Sequence, residues 1–131
     1  MKKNILFVCT ENSARSQMAE AFFNHYNRNP GYVGISAGTK PASEIKELAI
    51  EVMKEKGIDM KKQKPKMLDL DLAFGAYRVF TMGCVKGCPI IPPERTEDWK
   101  LEDPSGKSIE KFREVRDLID RRIKKLVSEL K

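Results

Sequence analysis

The chain lacks a long hydrophobic run. At the N-terminus, "MKKNILFVC" carries two lysines but only five consecutive apolar residues. That is too short for the core of an export signal and far too short to span a membrane, so the expectation is a cytoplasmic protein with no membrane partner. Cysteine is scarce as well: there are three, Cys9, Cys84 and Cys88. An odd number without an export signal argues against a structural disulfide framework. It leaves inert buried thiols, a metal site or redox chemistry. His25 is the single histidine and has no cysteine near it in sequence. It reads as a surface residue, so a soft-metal site such as zinc built on Cys84 and Cys88 with Cys9 or His25 has a thin ligand set. No basic run is interleaved with aromatics. The net charge of +6 therefore reads as a solvated surface whose lysines alternate with glutamates, as in "IKELAIEVMKEKG". Nucleic acid is not an expected partner, whereas a small anion is compatible.

Repeats, low-complexity tracts and linkers are also absent, and 40% hydrophobic with 34% charged residues is a globular composition. One domain spanning residues 1–131 is expected. "NILFVC" is a continuous apolar run of strand length, the pattern of a parallel strand covered on both faces. From Ser16, the positions Ala19, Phe22, Phe23 and Tyr26 recur at helical spacing until "NPG". "YVGISAG" reads as a second strand. A helix is expected over Ala42–Lys56, with Ile45, Leu48, Ala49, Val52 and Met53 on one face and Gly57 closing it. "PKMLDLDLAFG" suggests a short helix, "YRVFTM" a third buried strand, and "DWKLED" a short fourth. Ile109, Phe112, Val115, Ile119, Ile123, Leu126 and Leu130 mark a long amphipathic helix with Ser108 as its N-cap. Strand–helix alternation implies an α/β fold with a parallel sheet and helices on both faces. Ligands of such sheets bind beyond the carboxyl ends of the strands, where Cys9 and Cys84 would both fall.

The stretch "VCTENSARSQMAE" carries the chemistry. A cysteine followed six residues later by an arginine is weak evidence alone, and an inert cysteine beside an incidental arginine is the bland reading. The context is stronger. The intervening "TENSA" is short and polar, and a helix starts directly after it. Loop amides and a helix N-terminus together make an anion site. Arg15 adds a bidentate clamp for a tetrahedral oxyanion. The same positive field favours the thiolate of Cys9, Ser16 can donate a hydrogen bond to it, and Asn12 suits a positive-φ position that folds the loop into a cradle.

"CTENSARSQMAE" resembles the phosphate-binding loop of the low-molecular-weight tyrosine phosphatase superfamily: Cys, five residues, Arg, Ser. "SAG" at 36–38 recurs there too. "RSQMAE", "TMGC…CPIIPP" at 81–93 and "EDPSGK" at 102–107 resemble its thioredoxin-coupled arsenate reductase branch, in order over nearly the whole chain. The resemblance implies a single-domain three-layer sandwich with a four-stranded parallel sheet. It also implies an enzyme without cofactor or metal, a monomer whose substrate is arsenate and whose partner is thioredoxin or an equivalent dithiol. Thr10, Glu11, Asn12, Ser13, Ala14 and Arg15 would form the oxyanion loop. Cys9 would be the nucleophile, Ser16 its hydrogen-bond partner, and Asp103 the general acid. Without this pattern Asp103 would read as an ordinary turn aspartate before a proline. A relay through Cys84 and then Cys88 would supply the two electrons of reduction. On a helix, residues four apart have Cα atoms roughly 6 Å apart with poorly aimed side chains, so a Cys84–Cys88 bond needs a looped segment, which Gly83, Gly87 and Pro89 permit.

Several positions depart from relatives. Glu11 stands where glycine is common, and a carboxylate at an anion site must face outward. Ala14 stands where many relatives carry a second loop cysteine, which leaves Cys84 and Cys88 as the intramolecular partners of Cys9. Ser105 and Gly106 follow the "DP" where phosphatases carry tyrosines, which favours a small inorganic oxyanion. The main alternative is a low-molecular-weight phosphatase that hydrolyses a cysteinyl-phosphate. Some relatives also hold a monovalent cation beside the loop. Asn12, Glu20 and Ser36 match part of that set, and Lys66, near the expected acid, would replace the cation and pair with Glu20.

Overall fold

The computed structural model describes residues 2–83 and 93–130. In chain order its elements are β1 (Lys3–Cys9), α1 (Arg15–Tyr26), β2 (Tyr32–Gly38), α2 (Glu47–Lys54), α3 (Leu70–Gly75), β3 (Arg78–Thr81), a 3-10 turn (Pro93–Arg95), β4 (Thr96–Asp98) and α4 (Ile109–Glu129). The four strands form one sheet in the order β2-β1-β3-β4, and every pairing is parallel.

β1 is apolar throughout because both its faces are covered. Ile5, Phe7 and Cys9 join the core shared with α1, α2 and α4. Leu6 and Val8 face the opposite way, into a smaller core closed by Ala73 of α3. Phe7, Phe22, Phe23, Phe80 and Phe112 are all essentially inaccessible, and each such burial contributes roughly 1.5–3 kcal/mol. The ring of Trp99 packs into this layer at a tilt, 4.9 Å from Phe80 and 6.0 Å from Phe7 between centroids.

The order of the strands positions the site. The chain leaves β1 toward β2 and then crosses back over β1 to reach β3. Adjacent loops at the carboxyl ends of β1 and β3 therefore part in opposite directions and leave a crevice between them. Cys9 ends β1, and the register sets Val8 beside Thr81. Two sequence expectations shift. The helix expected over Ala42–Lys56 is shortened to Glu47–Lys54, because the amides of Lys40, Ala42 and Lys46 are bonded to carbonyls of the Cys9–Arg15 loop. The fourth strand covers Thr96–Asp98 rather than "DWKLED". Trp99 N still donates to Thr81 O at 2.8 Å, after which Lys100 turns to φ 51 and ends the pairing. Ser108 caps α4 as expected, accepting from Lys111 N at 3.4 Å, while the Lys111 ammonium pairs with Glu102 and Glu114.

Candidate active site

The loop from Cys9 to Arg15 is held from behind by its carbonyls. Thr10 O accepts from Lys40 N at 2.8 Å, Glu11 O from Ala42 N at 2.9 Å, and Ser13 O from Lys46 N at 2.9 Å. Asn12 O accepts from Gln17 Nε2 at 3.0 Å. In a trans peptide the C=O of one residue and the N–H of the next point in opposite directions. With four successive carbonyls drawn outward, the amides of Glu11, Asn12, Ser13 and Ala14 turn inward, and Asn12 N points at Cys9 Sγ from 3.2 Å. α1 starts straight out of this loop, and Ala14 at its N-cap offers no side-chain oxygen to its first-turn amides. The helix dipole adds to the same positive field.

Asn12 is the hub that fixes the loop. It is fully buried and takes φ 51, a left-handed conformation that asparagine tolerates better than most residues. Its Oδ1 accepts from Lys66 N at 2.8 Å and Gln17 Nε2 at 2.9 Å, so its Nδ2 is the end that donates to Ser16 Oγ at 2.7 Å. Ser16 Oγ shares a further hydrogen bond with Cys9 Sγ at 2.8 Å, in which the hydroxyl is the donor when Cys9 is a thiolate. Gln17 is braced in turn by Gln63 Nε2, which donates to its Oε1 at 2.7 Å. Gly38 completes the support. A Cβ built there would lie 2.6 Å from Thr10 O and 2.9 Å from Asn12 Cβ, so only glycine lets β2 back the loop this closely.

Arg15 is 7% exposed. Its Nη1 donates to Met82 O at 2.6 Å and Leu101 O at 3.0 Å, which ties the loop to the ends of β3 and β4. Gly83, at φ 99, is the turn that brings β3 against Leu101: a Cβ there would meet Leu101 O at 2.9 Å. The other nitrogen, Nη2, lies 3.8 Å from Asp103 Oδ2. Burial of Asp103 opposes its ionisation, but the hydrogen bonds from Ser105 and the charges of Arg15 and Lys46 outweigh it and hold its pKa below the ordinary carboxylate value. Cys9, Thr10, Glu11, Ser13, Ala14, Arg15, Asp103 and Ser105 line a cleft of about 200 Å³. Glu11 turns outward, with its carboxylate 3.8 Å from Lys46 Nζ.

Glu20 accepts from Ser36 Oγ at 2.7 Å, and Lys66 Nζ lies 3.6 Å from its carboxylate. His25 is on the exposed face of α1. Cys84 and Cys88 lie outside the described residues. Among the described residues no group of three or more His, Cys, Asp or Glu side chains is arranged to hold a metal ion, and no helix is long and apolar enough to cross a membrane. The sequence reasoning missed the supporting residues Gln17, Gln63, Gly38 and Lys46. "SAG" and "RSQMAE" drew attention to two of them without assigning a role.

The family model for low molecular weight phosphotyrosine protein phosphatase matches residues 4–73 and 88–131. The chain belongs to this family. Within it, an arsenate reductase of Brevibacillus brevis is 41% identical over 128 residues, covering 95% of this chain and 93% of its own. The thioredoxin-dependent arsenate reductase of Corynebacterium glutamicum superposes with a TM-score of 0.81 at 36% identity, over 97% of this chain and 61% of that one. The low molecular weight protein tyrosine phosphatase of T. tengcongensis superposes with a TM-score of 0.86 at 28% identity, over 98% of this chain and 100% of that one. The family fold is thus common to relatives named for two activities, and the residues around the loop must distinguish them.

Proposed function

We propose that this phosphatase-family protein reduces arsenate to arsenite, with electrons passing from a thioredoxin-type dithiol through its three cysteines to arsenic. One observation favours this over phosphotyrosine hydrolysis: the cleft over Cys9 is small and polar, with no aromatic side chain among its described lining. A phosphotyrosine ring would find no wall to stack on, whereas a tetrahedral inorganic oxyanion needs only the loop amides and Arg15. The two relatives above that are named arsenate reductases support the same choice, and they are closer in sequence than the tyrosine phosphatase.

In the proposed reaction, the Cys9 thiolate attacks arsenic. The arsenic–oxygen bond opposite breaks, and the oxygen leaves as water with a proton from Asp103. The loop amides and Arg15 stabilise the charge developing on the remaining oxygens. In the empty cleft the lowered Asp103 pKa keeps it ionised at neutral pH. A bound oxyanion engages Arg15 and sets negative charge beside Asp103, which raises that pKa and lets it carry the proton. The thiolate of Cys84 then attacks Cys9 Sγ. A Cys9–Cys84 disulfide forms, the arsenic–sulfur electron pair stays on arsenic, and arsenite departs. Cys88 next attacks Cys84, freeing Cys9, and the dithiol reduces the Cys84–Cys88 bond. Ser16 holds the Cys9 thiolate before it attacks arsenic and again after Cys88 frees it. The protein acts in the cytoplasm as a monomer.

Purified protein assayed with arsenate, thioredoxin, thioredoxin reductase and NADPH should turn over many times. Aryl-phosphate hydrolysis should be slower by orders of magnitude. Efficient aryl-phosphate hydrolysis with no arsenite formed would instead make it a phosphatase.

Two further outcomes follow from the side chains. Asp103→Asn should slow both chemistries by about 10²–10³, and hydrolysis of phenyl phosphate should suffer more than that of dinitrophenyl phosphate, whose leaving group needs no proton. Because the folded-state pKa of Asp103 is depressed, its pairing stabilises the protein above the unfolded carboxylate value of about 4 and is lost as pH falls through the lowered pKa. The variant should therefore flatten the acid side of the stability profile. Lys66 stands where a cation would neutralise Glu20, so exchanging potassium for sodium should leave the melting temperature and turnover unchanged. A potassium requirement would contradict that role.

A further inference from the structure

The charges around the cleft do not favour a dianion. Among its described lining residues Arg15 is the one cation, set against the carboxylates of Glu11 and Asp103. The Arg15 guanidinium is already shared with two backbone carbonyls and Asp103. With Cys9 as thiolate, an incoming oxyanion of charge −2 would meet a net negative surface.

Lys46 corrects this balance, although it is not itself in the lining. It is the N-cap residue of α2, and its amide is bonded to Ser13 O at 2.9 Å, so its backbone is fixed on the rim of the loop. Its side chain is 42% exposed and its Nζ lies 3.8 Å from Glu11 Oε1. Its charge also reaches Asp103, where it helps hold the carboxyl ionised. The ammonium therefore acts on both carboxylates of the cleft from one anchored position. A merely incidental surface pair would be worth little and would have no bearing on ligands.

We infer that Lys46 is a specificity-determining residue of this cleft: its ammonium draws Glu11 aside and supplies the second positive charge that a dianionic oxyanion requires. The inference rests on the oxyanion reading of the Cys9 loop but not on the cysteine relay. When the cleft fills, the oxyanion competes with Glu11 for Lys46, so Glu11 tunes affinity downward while Lys46 raises it.

The test is binding of inorganic phosphate, read as protection of Cys9 from iodoacetamide and followed by the mass of the Cys9 peptide. No reductant or turnover is involved. Lys46→Met should raise the half-protecting phosphate concentration about tenfold, Lys46→Arg should stay within about threefold of wild type, and Glu11→Gln should lower it about threefold. Unchanged phosphate binding in folded Lys46→Met would overturn the inference. Should Lys46→Met fail to fold, unchanged or weakened binding in Glu11→Gln would overturn it. Absence of protection in the wild type would remove the oxyanion site itself. Normal phosphate binding without arsenate reduction would leave Lys46 in place and defeat only the reductase reading.

Discussion

Arg15→Lys is expected to lower arsenate reduction and any aryl-phosphate hydrolysis together by about a thousandfold. The guanidinium has two jobs that an ammonium cannot combine. Nη1 joins Met82 O and Leu101 O, which fixes the plane of the group, and that plane aims the remaining N–H donors at the space over Cys9. A lysine can satisfy one of those carbonyls or reach the oxyanion, but it has no fixed fork with which to do both. Arg15→Ala should also cost about 2–4 kcal/mol of stability, because two buried carbonyls lose a charged donor. Steady-state kinetics with thermal unfolding separates the effects. Activity within tenfold of wild type in Arg15→Lys would show that the clamp is not bidentate in function.

Gly38→Ala should be the most damaging single methyl in the sheet. The added Cβ would meet Thr10 O at 2.6 Å and Asn12 N at 3.0 Å. Both are backbone atoms of a loop already held by Lys40, Ala42 and Lys46, so neither can swing aside. A destabilisation of about 2–4 kcal/mol is expected, or roughly 10 °C in melting temperature. Protein that still folds should bind phosphate poorly, because relief of the clash moves the cradle. Gly34→Ala is the control on the same strand. Its Cβ would meet Phe23 Cδ1 at 2.9 Å and Asn24 Oδ1 at 3.2 Å, both side-chain atoms. That variant should lose stability while keeping phosphate binding. Equal loss of binding in the two would contradict the assignment of Gly38 as the loop's support.

How far the sequence was legible follows from which forces are local. β1 could be read because a strand buried on both faces must be apolar at every position, and its end at Cys9 followed from the polar loop. The turn at Asn12 was legible from residue type, since few side chains tolerate φ 51. α4 was legible because twenty-one residues leave a full amphipathic record. The start of α2 was not, since Ala42 to Ile45 have helical spacing but the amides of Ala42 and Lys46 are bonded to the outward carbonyls of the Cys9 loop. β4 was misplaced: the strand expected in "DWKLED" starts at Asp98, whereas the pairing with β3 covers Thr96 to Asp98. The roles of Gly38, Gln17 and Gln63 left no local signature. They act across 26 to 46 positions of sequence through contacts that only the folded chain brings together. The second cation on the rim was hidden for the same reason: Lys46 looked like one lysine among many on a helix face.

The central claim is that arsenate is reduced through three thiols in a fixed order, two of them oxidised per turnover. The direct measurement is arsenite released in a single turnover, with thiols counted afterwards and no external reductant. Fully reduced wild type, which begins with three thiols, should release one arsenite per chain and retain one thiol, on Cys9. Cys88→Ser should also release one arsenite but retain none, its disulfide joining Cys9 to Cys84. Cys84→Ser should release none and hold its arsenic on Cys9. Stoichiometric arsenite from Cys84→Ser, with Cys9 joined directly to Cys88 in a disulfide, would contradict the account.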